Sequence, residues 1–145
     1  MIKIPLEVLQ LEDGVHLLVE LFAFGKSFKA VLDTGASKTV FDKTTIENYL
    51  DGSSLITTDR VSTGLGTTNM ESFLWNVSHL KIGDLELSDI EVAILDLSTI
   101  NYAYANMNLE PVIGVIGGDL LSQYKAVIDY GKGTLSLKKP RYKRT

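Results

Sequence analysis

The chain has 145 residues, 45% hydrophobic and 22% charged, which fits a folded chain with one core and excludes a disordered one. With no cysteine and only two histidines, disulfides and thiolate metal sites are excluded, a multi-histidine centre is disfavoured, and no cofactor or metal is expected. The net charge of −4 is uneven: the last eight residues, KKPRYKRT, hold five of the 14 basic groups, leaving 9 basic against 18 acidic groups (net −9) in residues 1–137, which speaks against broad nucleic-acid binding.

The N-terminal stretch MIKIPLEVLQLEDG lacks the apolar run of a signal peptide. No apolar stretch approaches 18 residues, so no membrane span is expected, and the reading is a soluble, cytoplasmic protein. From Val15 to Ala23, apolar residues alternate with a period of two, and both faces are fairly apolar, as in a strand covered on both sides. Asp13-Gly14 before it and Gly25-Lys26 after it are turn signals. Ser27 to Leu32 then reads as the returning strand of a hairpin, which delivers Asp33 at its end.

Asp42 to Gly52 is the first helical segment, with Thr44 and Glu47 spaced as a capping box and Gly52 as its stop. Trp75 to Leu87, turning at Gly83-Asp84, reads as a hairpin, and Ile90 to Leu97 as a further strand. STINYAYANMNLEP reads as a long connection. Finally, PVIGVIGGDLLSQYKAVIDYGKGTLSL gives a strand, a glycine pair, a short helix over Asp119 to Tyr124 and a hairpin turning at Gly131 to Gly133. Residues 1–138 are expected to form one domain that is all-β apart from one or two short helices, with 139–145 as a solvated basic tail.

The chemistry concentrates in AVLDTGASKTVF, Ala30 to Phe41. A carboxylate at the mouth of a buried strand is costly unless something holds it. Thr34 offers a short hydroxyl and Gly35 permits close backbone approach. Ala36 and Ser37 keep the wall low enough for a substrate chain to cross Asp33. Two such carboxylates face to face resist double ionisation and share one proton, so one acts as base and the other as acid towards a water. Alone, an Asp-Thr-Gly tripeptide is a weak signal that a strand-capping turn would also explain.

The preceding strand and the later PVIGVIGGDLLSQY, Pro111 to Tyr124, strengthen it. Together VLDTGAS and VIGGDLLSQY resemble the retropepsin-like aspartic proteases, which comprise retroviral proteases and single-lobed cellular relatives of pepsin. The resemblance covers roughly residues 15–138. It implies a flattened, single-lobed β-barrel, Asp33 as the catalytic residue, and Thr34, Gly35, Ala36 and Ser37 as the active-site loop. Val115-Ile116-Gly117 would be the apolar-apolar-glycine segment before the helix, and Gly64, Leu65 and Gly66 the tip of a flap over substrate. Leu32, Val112 and Val115 are expected to line the substrate pocket.

The chain has one Asp-Thr-Gly, so the resemblance further implies a homodimer in which Asp33 faces its symmetry mate and a peptide or protein is the substrate. Two features depart from the pattern. Gly118 stands where many retroviral members carry an arginine that ties the dimer. Ala36 stands where pepsin-like sites often have a serine that stabilises the ionised aspartate, so a mildly rather than strongly acidic optimum is expected. The alternatives are a non-catalytic peptide-binding or dimerisation module on the same fold, and a small β-barrel ligand binder in which DTGAS is coincidental.

Overall fold

A computed structural model of the chain describes residues 1–49, 56–57 and 73–139. The described elements are, in order, β1 (Ile2–Pro5), β2 (Glu7–Leu11), β3 (Gly14–Ala23), β4 (Lys26–Leu32), β5 (Val40–Asp42), α1 (Lys43–Tyr49), β6 (Ile56–Thr57), β7 (Phe73–Ile82), β8 (Leu85–Leu95), α2 (Ser98–Asn106), β9 (Gly114–Ile116), α3 (Gly118–Gln123), β10 (Val127–Asp129) and β11 (Thr134–Leu137). The architecture is mostly β, as expected.

The alternating run from Val15 pairs with the return strand in the register Leu18↔Val31 to Ala23↔Lys26. The two-residue turn between them is Phe24-Gly25, one residue earlier than the Gly25-Lys26 signal. Both have positive φ (55° and 72°), the mirror-image turn that matches the twist of paired strands. A phenylalanine rarely enters that region. Here its ring stacks between Tyr49 and Trp75, at centroid distances of 4.9 and 5.6 Å, and this packing holds the unfavourable backbone in place.

An eight-stranded sheet runs in the order β2-β3-β4-β9-β5-β8-β7-β6, and a β3–β7 pairing closes six of these strands into a ring. Strand β9 inserts between β4, which it meets in parallel, and β5, which it meets antiparallel. A segment from late in the chain thus lies beside both strands that flank the Asp33 loop. β1, β11 and β10 form a second, three-stranded sheet.

The ring encloses a large apolar cluster that includes Leu21, Phe41, Ile46, Leu80, Val92, Ile94 and Ile116. A smaller cluster gathers Leu18, Tyr104 and Val112, with Val31 and Leu109 packed against it. Burial of one such aliphatic side chain is worth about 1.5–3 kcal/mol, and the two clusters fix the position of every element around the site.

Four sequence expectations need correction. STINYAYANMNLEP is not an irregular connection, since residues 98–106 form α2. Ile100 and Tyr104, one turn apart, turn to the smaller cluster, and that apolar partner is what makes the segment helical. Ile90 to Leu97 is not a separate strand, because β8 runs unbroken from Leu85 to Leu95. Asp89 adopts φ 54° within it while the register with β7 is kept. Two N-terminal strands, β1 and β2, precede the first expected one. Finally, α1 is capped by Asp42 and not by Thr44: the Asp42 carboxylate accepts from the Thr45 N–H (3.2 Å) and hydroxyl (2.8 Å). Asp42 is only 4% exposed and also accepts from the Leu97 N–H at 3.0 Å, so this buried acid is held by three donors.

Candidate active site

Asp33 directly follows β4, and its N–H still donates to the Ile116 carbonyl of β9 at 3.0 Å. The chain then turns sharply. The Ala36 N–H donates to the Asp33 carbonyl at 3.1 Å, and the Gly35 N–H donates to Asp33 Oδ1 at 2.9 Å. A Cβ on Gly35 would lie 3.2 Å from that same oxygen, so a larger residue would crowd the carboxylate it holds. Asp33, Thr34, Gly35 and Ser37 are exposed and Ala36 is half-buried. The loop therefore presents a carboxylate to solvent between two low walls.

Behind the loop lies a layer of polar contacts that the sequence did not reveal. Thr39 is fully buried (0% exposed). Its hydroxyl accepts from the Gly117 N–H at 3.1 Å and donates to Asp119 Oδ1 at 2.8 Å. The Gly118 N–H donates to the Ala36 carbonyl at 2.7 Å. At Gly117 a Cβ would sit 2.8 Å from the carbonyl oxygens of Ala36 and Lys38, so only glycine permits this backbone crossing. The Asp33 loop is thus fastened to the start of α3 through Thr39, Asp119 and two glycine amides. The Asp119 carboxylate, in the first turn of α3, is thereby engaged by Thr39. In the sequence, Thr39 is one polar residue beside a strand, and nothing local marks it as buried.

An apolar wall adjoins the carboxylate. Val31, two residues before Asp33, shares its face of the strand. Val31 pairs with Val115, and Val115 with Val40, giving a row of three valines across β4, β9 and β5. Val115 belongs to neither core cluster, whereas Leu32 lies in the larger and Val112 in the smaller. Val31 and Val40 were not anticipated; a two-residue step back from Asp33 would have found Val31. Gly64, Leu65 and Gly66 lie outside the described residues.

Asn101 of α2 anchors the segment entering β9, accepting from the Val112 N–H at 2.8 Å and donating to its carbonyl at 3.2 Å. A cavity of about 550 Å³ opens beside Asp42, Thr44, Ser98 and Tyr102, and Asp33 is not among its lining residues. Among the described residues, no group of three acidic, histidine or cysteine side chains converges as a metal site would.

A family model described as aspartyl protease matches residues 19–120, a span from the middle of β3 to the start of α3 that contains the Asp33 loop. The chain belongs to the aspartyl protease family.

Solved structures show the same fold. The retroviral protease-like domain of Ddi1 from Leishmania major aligns with a TM-score of 0.62 at 16% identity, covering 84% of this chain and 87% of that one. A retropepsin-like aspartic protease from Rickettsia conorii aligns with a TM-score of 0.59 at 23% identity, covering 92% and 86%. No curated protein matches the chain. The retropepsin-like resemblance drawn from VLDTGAS and VIGGDLLSQY is borne out at the level of family and fold. No helix among the described residues is long and apolar enough to cross a membrane.

Proposed function

We propose that this protein is an aspartic endopeptidase that works as a homodimer, with Asp33 facing Asp33 of a second copy. The observation that carries the reading is the exposed Asp33 carboxylate, gripped by the Gly35 N–H and set in a loop fastened to α3. One copy supplies one such carboxylate, and the chemistry needs two. Across a two-fold axis the pair shares a proton because two adjacent negative charges repel. The ionised member takes a proton from a water, whose oxygen bonds to the peptide carbonyl carbon. The protonated member gives its proton to the carbonyl oxygen. Transfer of a proton to the amide nitrogen then lets the C–N bond break, releasing an acid and an amine. A cleft shared by two copies also accounts for an Asp33 that one copy leaves open.

Val31, Val115 and Val40 would form the wall against which side chains flanking the cleaved bond pack, with Leu32 supporting it from the core side and Val112 beside Val31. The substrate would then be an extended peptide with apolar residues at the cut. The test is cleavage of a diverse peptide library at mildly acidic pH by the wild type and by Asp33→Asn, with pepstatin as a probe. Cutting by the wild type, abolished in the variant and blocked by the inhibitor, supports the reading. Two folded, dimeric proteins that cut nothing would instead support a non-catalytic peptide-binding module. A mass in solution that stays monomeric at high concentration would remove the shared pair altogether.

A further inference from the structure

The register of β3 against β4 places a second polar group on the side of Asp33. Leu18 pairs with Val31. Two residues further along both strands, beyond the last formed pair, His16 falls opposite Asp33. By strand alternation His16 shares a face with Leu18, and Asp33 with Val31, so His16 and Asp33 project from the same side.

His16 is not free to wander. Its Nδ1 lies 2.8 Å from the hydroxyl of Tyr104, which is only 2% exposed on α2. Its Nε2 lies 3.2 Å from both oxygens of Asp13. A carboxylate can only accept, so Nε2 carries a hydrogen, and in the neutral ring Nδ1 then accepts from the Tyr104 hydroxyl. Burial, followed by the negative charge of Asp13, holds the Tyr104 hydroxyl above its ordinary pKa, so it stays a donor. The chain Tyr104–His16–Asp13 thus runs from a buried anchor to a carboxylate whose side chain is 72% exposed.

We infer that Asp13 is a specificity-determining residue that selects a basic side chain of the substrate, and that His16 and Tyr104 are its positioning residues. The inference rests on the proteolytic reading and names part of the substrate that this cleft prefers. Asp13 meets His16 and, among the described residues, no Lys or Arg within ion-pair distance. The charged neighbours do not compensate it. Glu12 is exposed beside it, Leu9 is opposite His16 on β2, and the Glu7 carboxylate pairs with Lys29 at 3.6 Å. The carboxylate oxygens therefore keep lone pairs turned to solvent for an ammonium or guanidinium. An extended peptide advances about 3.3 Å per residue, so a side chain about two or three residues from the cleaved bond would meet Asp13.

The test uses peptides built on a cut site found in the library, differing only by Lys, Gln or Glu at that position. They are assayed at pH 7 and low salt with wild type, Asp13→Asn, Asp13→Glu and His16→Gln. Binding of the same peptides to the uncleaving Asp33→Asn variant gives a readout independent of chemistry. The wild type should prefer Lys over Glu by about two- to fivefold in kcat/KM, carried by KM and reduced by salt, the range of an oriented surface ion pair. Asp13→Asn should bring the ratio close to one, Asp13→Glu should keep most of it, and His16→Gln should lower it. A wild type that cuts without charge preference, or an Asp13→Asn variant with the wild-type ratio, overturns this inference and leaves the proteolytic reading standing. If the wild type cuts nothing and the Asp33→Asn variant binds nothing, both fall.

Discussion

Replacing Thr39 by valine keeps its β-branched shape and removes a hydroxyl that, alongside the Gly118–Ala36 bond, joins the Asp33 loop to α3. Two groups lose their partner at once. The buried Gly117 N–H loses its acceptor at 3.1 Å, and the Asp119 carboxylate loses its donor at 2.8 Å. An orphaned buried amide costs about 1–3 kcal/mol, and a lost hydrogen bond to a charged group about 1.5–3. Asp119 is half-buried, and water can serve part of its need, so the lower end applies there. The sum is about 2.5–4.5 kcal/mol. Urea unfolding at fixed protein concentration measures it, since dimerisation would otherwise shift the midpoint. Thr39→Ser keeps the hydroxyl and loses a methyl, so it should cost about 1 kcal/mol. A valine variant within 0.5 kcal/mol of wild type, or a serine variant as damaged as the valine one, would refute the claim that this hydroxyl fastens the loop.

Other consequences can be measured alongside. Gly117→Ala forces a methyl to 2.8 Å from two carbonyl oxygens; it should destabilise by about 1–3 kcal/mol, as overpacking does, and lower kcat at least as much as it raises KM. Alkaline titration tests the burial of Tyr104 and Tyr124, both held above the ordinary tyrosine pKa by burial. A raised folded-state pKa keeps its contribution to stability below about pH 10 and loses it as pH rises through the folded value. Wild type should therefore lose stability above about pH 10, and Tyr104→Phe should lose less over that range; equal slopes would contradict it.

The sequence by itself was enough to place Asp33, Thr34 and Gly35 in a turn at the end of a hairpin, and the apolar-apolar-glycine segment before α3. These are local signals: period-two alternation, turn residues, and small residues after an acid. The same reasoning failed at α2, because Ile100 and Tyr104 become a helical face only once Leu18 and Val112 are there to receive it. It failed at Asp42, where a cap was assigned to Thr44 because nothing local shows that the preceding acid is buried against the Leu97 amide.

The tertiary structure alone decided which side chains stand around the carboxylate. Insertion of β9 between β4 and β5 aligns Val31, Val115 and Val40, residues up to 84 positions apart in the chain. The same crossing brings Thr39 to Asp119 and Gly117, and the β3–β4 register sets Leu18 against Val31. Each of these depends on pairing between distant strands. Strand pairing is set by burial of whole faces, and no short stretch of sequence carries that information.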